Sequence, residues 1–458
     1  MIQIRNKDRL VENGETGQSR KARNIALQTL EYALSAVDAA KLLKSKVTLD
    51  GHRLRAGTYS FDLRNFRNEY VLGGGKASGP MASALEDVLG KRLTAGFVNV
   101  PYGDNHKTSI IKLHGASHPI PDEAGVAGTR QMLSLAEEAN EDDLVITLIS
   151  GGGSSLMPLP ADDVSLQDKR ELTERLLKSG ASIGETNAVR KHLSGFKGGW
   201  LAKKAYPATI LNLVLSDVVG DSLESIASGP AVPDSTTFAD ARRILQRYDL
   251  WDNAPVSVRN LILSGEKGVV PETPKEGDAA FEKVYSVILG NSRSAGLAAI
   301  EYLRSEGLKP LLLTSTLEGE ASKVGTVLAS IAREVAESSS TFLKPAGLVA
   351  CGETVVTVRG KGVGGRNQEL ALSAALKLHG LEGVAVASLS TDGVDGPTNA
   401  AGAVVDGKTV ERALRLGLNP EDYLTGNDSH GFFSKSGDLI VTGPTGTNVN
   451  DISVIVIL

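Results

Sequence analysis

The sequence predicts two α/β domains joined near residues 270–280. Three observations carry that reading. Short, continuous, β-branched runs bounded by glycine suit strands buried on both faces. Helical stretches separate those runs, as parallel crossovers require. The chain has 458 residues, about three times the size of a typical domain.

The opening stretch MIQIRNKDRLVENGETGQSRKARN is polar and charged. It lacks the apolar run of a secretory signal, and nowhere do 18 apolar residues follow one another, so a soluble, cytoplasmic protein without membrane partners is expected. The first 20 or so residues are read as a disordered extension or an expression remnant. From Lys21 to about Leu43, apolar residues including Ile25, Leu27, Leu30, Leu34 and Val37 recur at spacings of two to four, an amphipathic helix. YVLG (70–73), GFVNV (96–100), IIKL (110–113), LVITLI (144–149) and TILNLVL (209–215) follow as strands. ALEDVLGKRL and GTRQMLSLAEEA supply crossover helices, giving a mostly parallel, Rossmann-like sheet in a domain of residues 1–270. The proline-containing stretch 269–283 reads as a linker or surface loop. A smaller domain, residues 280–458, then holds VYSVILG (284–290), LLLTST (311–316), GLVACG (347–352), TVVTV (354–358), VAVASLS (384–390), DLIVTG (438–443) and ISVIVIL (452–458). The close pair 347–352 and 354–358 suits antiparallel pairing, so this second sheet is expected to be mixed.

Composition narrows the function. A single cysteine, Cys351, excludes a disulfide framework and a cysteine-rich zinc module. The net charge of −5 argues against a dedicated nucleic-acid binder. Glycine is the excess: 50 residues, about 11% against an average near 7%.

That excess sits at strand ends. GGGKASG (73–79) and GGGSS (151–155) each follow a strand, where open α/β sheets bind ligands. Consecutive glycines let backbone approach phosphate, and the following amides donate to it. Gly74, Gly75, Gly151, Gly152, Gly153, Ser154 and Ser155 are therefore expected to form anion cradles. Lys76 within the first loop brings an ammonium to a moving phosphoryl group. The loop is not a P-loop, because G-x-x-x-x-G-K-[ST] is absent.

A third segment, GKGVGGRNQELALSAALKL (360–378), satisfies G-x-G-x-x-G through Gly360, Gly362 and Gly365, with a strand expected before it, a helix after it, and Asp392 27 residues beyond Gly365. Read literally, it is a dinucleotide fingerprint. Arg366, directly after the glycines, equally suits a fork onto carboxylate or phosphate. Asp217 and Asp221 follow a buried strand, where they suit Mg²⁺, proton transfer or simple turn capping. Asp392 and Asp395 stand in a similar setting. Arg190, Lys191, His192 and Lys197 read as an acidic-substrate pocket or a solvated face, the latter favoured when the run is taken alone. No Ser-His-Asp arrangement and no H-E-x-x-H declares itself.

Taken together, VLGGGKASGPMA, GASHPIPDEAG, ISGGGSSLMPLP, NAVRKHLSGFKGGWLA, SDVVGDSLESIASGPAVPD, GNSRSAGLAA, CGETVVTVRGKGVGGRNQELAL, STDGVDGPTNAAGAVVD and GNDSHGFF resemble the class II glycerate 2-kinases, whose C-terminal region is called MOFRL. The match runs in family order over roughly residues 20–458. The resemblance implies ATP-dependent phosphorylation of D-glycerate at its 2-hydroxyl with a divalent metal such as Mg²⁺, in a cleft between two α/β domains. Its essential lysine maps onto Lys76 and its essential arginine onto Arg366. Ser78, Lys191, Lys197 and Asn291, within matched stretches, join the expected phosphate- and substrate-binding set. Carboxylate placement adds Asp217 as ligand or base, with Asp221 and Glu353 as further metal ligands. Two other readings compete: an NAD(P)-dependent hydroxypyruvate reductase, from the G-x-G-x-x-G match, and a non-catalytic sensor of a phosphorylated metabolite, which needs only the anion cradles. A homodimer stays open, although aromatic interface anchors are few.

Overall fold

The computed structural model describes residues 2–338 and 343–458, and these divide into two compact units. Residues 39–289 form the first. It opens with an antiparallel meander, β1 (Val47–Asp50), β2 (Arg53–Ala56) and β3 (Tyr59–Asp62), which sequence reading missed because its strands alternate exposed charge with single apolar residues. The main sheet follows: β4 (Asn68–Gly74), β5 (Ala95–Pro101), β6 (Ile111–Ala116), β7 (Asp143–Ile149), β8 (Thr209–Leu215) and β9 (Val284–Gly290). Its spatial order is β6-β5-β4-β7-β8-β9, with parallel pairing through β6, β5, β4, β7 and β8. Counted within the sheet this is 3-2-1-4-5-6, the doubly wound order, whose direction of winding reverses between β4 and β7.

Every residue of β7 and β8 is buried, as their unbroken apolar runs predict. Leu72, Val145 and Ile149 pack with Met132 of the helix Glu123–Glu138 and with Phe196. That helix starts where Asp122 accepts the amide of Gly125 at 2.9 Å. A second cluster joins Leu172, Val189, Phe238, Leu245 and Ile262 from four helices inserted between β7 and β9.

The other unit comprises residues 1–38 and 290–458. Its strands are β10 (Lys309–Leu317), β11 (Ala346–Gly352), β12 (Val384–Ser390), β13 (Gly402–Asp406), β14 (Leu439–Ile440) and β15 (Asp451–Ile457), in the order β10-β11-β15-β12-β13-β14. Only β10 and β11 pair parallel among these; β15 lies antiparallel to both β11 and β12. The sheet is mixed, as expected, but not by the expected hairpin. Residues 354–358 form no strand: β11 already has β10 and β15 on its two edges, and Val355 and Val358 face solvent.

The chain changes unit at 38/39 and at 289/290, not at 270–280. The strand 284–290 closes the first sheet rather than opening the second, with Asn212 donating to Ser286 at 3.1 Å. The helix expected over 21–43 is two helices, Gly17–Ala36 and Ala39–Lys46, divided between the units. The N-terminal extension is ordered. It forms the helix Lys7–Glu12, buries Leu10, and ties Asn13 to the 436–438 turn at 3.1 Å. The cause is Arg23, fully buried, which pairs with Asp406 and, at 2.9 Å, with Asp438. A guanidinium buried with two carboxylates fixes the register of the segment carrying it. Among the described residues no helix is long and apolar enough to cross a membrane.

Candidate active site

Lys76 stands where β4 hands over to the helix Ser78–Leu89, and GGGSS stands where β7 ends. Because β4 and β7 are neighbours at the reversal of strand order, the two loops emerge side by side, where this fold binds ligands. They are stitched together: the Lys76 amide donates to the Gly151 carbonyl at 2.8 Å and the Ala77 amide to Ser150 Oγ at 3.0 Å.

The two loops differ in what they leave for a ligand. The amides of Gly75, Lys76, Ala77 and Ser78 all donate within the protein. Those of Gly151, Gly152 and Ser154 meet no protein acceptor among the described residues. Of the two loops expected to cradle an anion, GGGSS keeps amides open among the described residues, whereas the amides of GGGKA are spent on protein and the loop positions Lys76. Gly152 makes the juxtaposition possible. Its φ is +79°, and a Cβ there would lie 2.9 Å from the His118 ring and 3.2 Å from Lys76 Cγ.

Other expected ligand groups are spent on structure. Ser78 is fully buried and donates to the Leu148 carbonyl at 3.1 Å. Gly74 and Gly75 are packed against Met157 and Ser150, where a side chain would clash. Ser154 Oγ lies 2.8 Å from Ser228 Oγ, and Ser155 is half-buried in the same turn. The run 190–199 is not a solvated face. Lys191 is buried between Asp234 at 2.5 Å and Glu224 at 3.2 Å. His192 bonds Glu272 at 2.8 Å and the Ala188 carbonyl at 2.7 Å. Lys197 is fully buried and donates to the Met157 carbonyl. Lys191 and Lys197, expected on the ligand, are thus held by protein groups because their stems lie inside a core.

Asp217 and Asp221 occupy the loop after β8, half-buried, with Asp221 at φ +58°. Since β8 is parallel to β7, this loop shares the carboxyl edge of the sheet with GGGSS. Among the described residues no three His, Cys, Asp or Glu side chains assemble into a metal-binding group.

In the other unit, Arg366 begins the helix Arg366–Leu378 directly after Gly365. The fork predicted for it exists, but its carboxylate is the chain's own. Nε and Nη2 bond the two oxygens of Asp451 at 2.6 and 2.9 Å, and Nη1 bonds Glu353 at 2.5 Å. Burial opposes the Arg366 charge, yet the facing carboxylates outweigh burial and hold its pKa above the ordinary value. Glu353, expected as a metal ligand, is engaged by Arg366 and, through its other oxygen, by Asn450 at 2.8 Å. Asn291 caps the helix Ser292–Ser305, its Oδ1 accepting the Ser294 amide at 2.9 Å.

The G-x-G-x-x-G segment does not hold a dinucleotide open. No strand runs directly into it, since β11 ends at Gly352, and its glycines face protein: a Cβ would lie 2.0 Å from the Gly426 carbonyl at Gly360, 2.3 Å from Asp428 at Gly362 and 2.3 Å from the Asp395 carboxyl at Gly365. That last approach lets Asp395 accept the Asn367 and Gln368 amides at 3.1 and 2.9 Å and cap the helix. Asn187 and Ser228, linked to Ser154 by hydrogen bonds, were not singled out in the sequence; Arg190 was, but only within a basic run read as an acidic-substrate pocket or a solvated face. Two cavities, of about 600 and 790 Å³, have neither Lys76 nor Arg366 in their walls.

Known proteins are similar to this chain in sequence and fold. Residues 25–263 match the family described as "Domain of unknown function (DUF4147)", and residues 346–451 match the "MOFRL family". A D-glycerate 2-kinase of Thermotoga maritima is 46% identical over 379 residues, covering 82% of this chain and 88% of its own. A protein of Agrobacterium vitis named putative hydroxypyruvate reductase is 42% identical over 393 residues, covering 84% of this chain and 86% of its own. The crystal structure of a glycerate kinase from Thermotoga maritima superposes with a TM-score of 0.82 at 42% identity, covering 95% of this chain and 99% of that one. With likeness in sequence and fold over nearly its whole length, the chain belongs to the class II glycerate kinase family.

Proposed function

We propose that this chain transfers the γ-phosphoryl group of ATP to the 2-hydroxyl of D-glycerate, releasing ADP and 2-phosphoglycerate. The observation that carries it is the set of open amides at Gly151, Gly152 and Ser154 beside Lys76 at the reversal point of the doubly wound sheet. The D-glycerate 2-kinase from Thermotoga maritima supports the substrate. Phosphoryl transfer asks a protein mainly for positioning and charge. The open amides bind nucleotide phosphate, and Lys76 sits on the group in transit. Asp217 takes the hydroxyl proton as the glycerate oxygen bonds phosphorus and the bond to the leaving ADP breaks.

Arg366 binds the glycerate carboxylate in the same reaction. For this, Nη1 exchanges the partly exposed Glu353 for substrate while Asp451 keeps the fork in place. Asp217 and Asp221 are the carboxylates that would hold Mg²⁺, which ordinarily takes one or two protein carboxylates and completes its shell with phosphate and water. Once bound, the ion would neutralise phosphate charge.

Lys76→Ala tests the assignment in a single turnover, where the phosphoryl-transfer rate is expected to fall by roughly 10² to 10³. An unchanged rate would overturn it. Phosphorus-coupled NMR of the product is expected to show the phosphate on C2. The second reading, a hydroxypyruvate reductase, is favoured by the name of the Agrobacterium vitis relative. It requires NADH oxidation by hydroxypyruvate with no ADP formed from ATP and glycerate; the opposite pair of results is expected.

A further inference from the structure

Three cations of the first unit meet no carboxylate among the described residues. Lys197 donates to the Met157 carbonyl, and Lys169 donates to the carbonyls of Leu159 at 3.3 Å and Leu193 at 2.9 Å. Both lysines thus brace the segment that follows GGGSS. The third, Arg190, has five donors and places one, Nη1, on Asn187 Oδ1 at a long 3.4 Å. Buried cations are normally paired: Arg23 and Lys191 have two carboxylates each, whereas Lys169 and Lys197, buried, and Arg190, half-buried, have none among the described residues.

A hydrogen-bond relay links Arg190 to the glycine turn. Asn187 Oδ1 also accepts from Ser228 Oγ at 3.3 Å, and Ser228 Oγ lies 2.8 Å from Ser154 Oγ. Ser228 is held there by a turn in which Ala227, Ser228 and Gly229 are all left-handed, at φ +50°, +61° and +59°. Left-handed backbone at two successive non-glycine residues is strained, and strain of this kind collects at ligand sites. The carbonyls of Ser228 and Gly229 are pinned by the amides of Gly198 and Gly199 at 3.0 and 2.8 Å. Burial pushes Lys169 and Lys197 well below their ordinary values and Arg190 to about 10, which leaves the guanidinium charged at neutral pH.

We propose that Arg190 is a phosphate-binding side chain of this enzyme, closing its unused donors on the phosphate chain of the nucleotide that the open amides of Gly151, Gly152 and Ser154 receive. The inference rests on the kinase reading for the identity of the nucleotide, but not for the chemistry of the site. A guanidinium fork matches paired phosphate oxygens, and the two buried lysines, spent on backbone carbonyls, do not compete for the ligand.

Inorganic tripolyphosphate is the probe, titrated into the full chain by calorimetry at fixed ionic strength. Arg190→Gln is expected to weaken it at least tenfold. Asn187→Asp, nearly isosteric, is expected to do the same by supplying Arg190 with a rival carboxylate, and it decides the matter if Arg190→Gln fails to fold. In turnover, the KM for ATP is expected to rise about tenfold in both variants, with the KM for D-glycerate within about twofold. Unchanged tripolyphosphate affinity in the folded variants overturns the proposal, and so does a rise confined to the KM for glycerate, which would put the substrate carboxylate on Arg190. If tripolyphosphate binding depends on Arg190 while the wild type phosphorylates no glycerate, the phosphate site stands and the glycerate kinase reading falls.

Discussion

Two glycine-rich segments, 151–153 and 360–365, are alike as sequence and opposite in use. At 151–153 glycine lets two loops and a lysine stem converge while backbone amides stay open. At 360–365 glycine admits other parts of the chain, and the space a ligand would need is filled by Gly426, Asp428 and Asp395. The arginines near each repeat the contrast. Arg366 has spent its fork on Asp451, whereas Arg190 has spent one donor on Asn187. A glycine run therefore marks close approach, and only the identity of what approaches tells a ligand site from a packing site.

Substitution at the filled segment breaks the contrast most strongly. Gly365→Ala puts a methyl 2.3 to 2.5 Å from the Asp395 carboxyl, which must leave the helix cap it provides. Overpacking of this kind costs about 3 kcal/mol, and urea denaturation should read it as a lowered midpoint. Gly152→Ala should behave differently. The left-handed backbone there costs an alanine about 1 to 2 kcal/mol, while displacement of Lys76 should lower kcat/KM at least tenfold, since small misplacements near the reacting group are costly. If Gly365→Ala instead kept its full stability, the packing role of the segment 360–365 would fail.

Much of this contrast was legible in the sequence. The buried strands declared themselves because LVITLI and TILNLVL are apolar throughout, and the glycine loops because they follow those strands. Lys76 was legible for the same reason: a lysine inside a turn built for close approach has a reason to be there. What stayed hidden depended on long-range partners. Nothing near Arg23 in sequence names Asp406 and Asp438, so the N-terminal segment read as a disordered extension. TVVTV has the composition of a strand, but both edges of β11 are taken. Arg190, Lys191 and Lys197 read as one basic run, although only tertiary structure gives carboxylates to Lys191 and withholds them from Arg190 and Lys197.

The smallest expected effect sharpens the contrast through pH. Beside the GGGSS unit's buried cations, Glu272 would be raised by burial, but bonds from His192 and from the Phe238 and Thr273 amides prevail and bring its pKa to about 2. Its folded value lies below its unfolded one, so its stabilisation is complete above the ordinary carboxylate range and is lost as pH falls from about 4 toward 2. Because Glu272 is about one-third exposed, solvent screening limits the contribution to about 1 kcal/mol. Asp395, under the filled glycines, runs the other way: burial outweighs its hydrogen bonds and raises its pKa, so its contribution is complete at low pH and is lost as pH rises. Both tryptophans, Trp200 and Trp251, lie in the first unit, so their fluorescence reads that unit alone. Between pH 4 and 2 the fluorescence-detected urea midpoint should fall, and Glu272→Gln should flatten that fall. Over the same range, hydrogen exchange at Asn367 and Gln368, corrected for intrinsic rates, should hold or slow. Parallel losses at both places would mean that the two carboxylates respond to acid alike, and the electrostatic half of the contrast would fail.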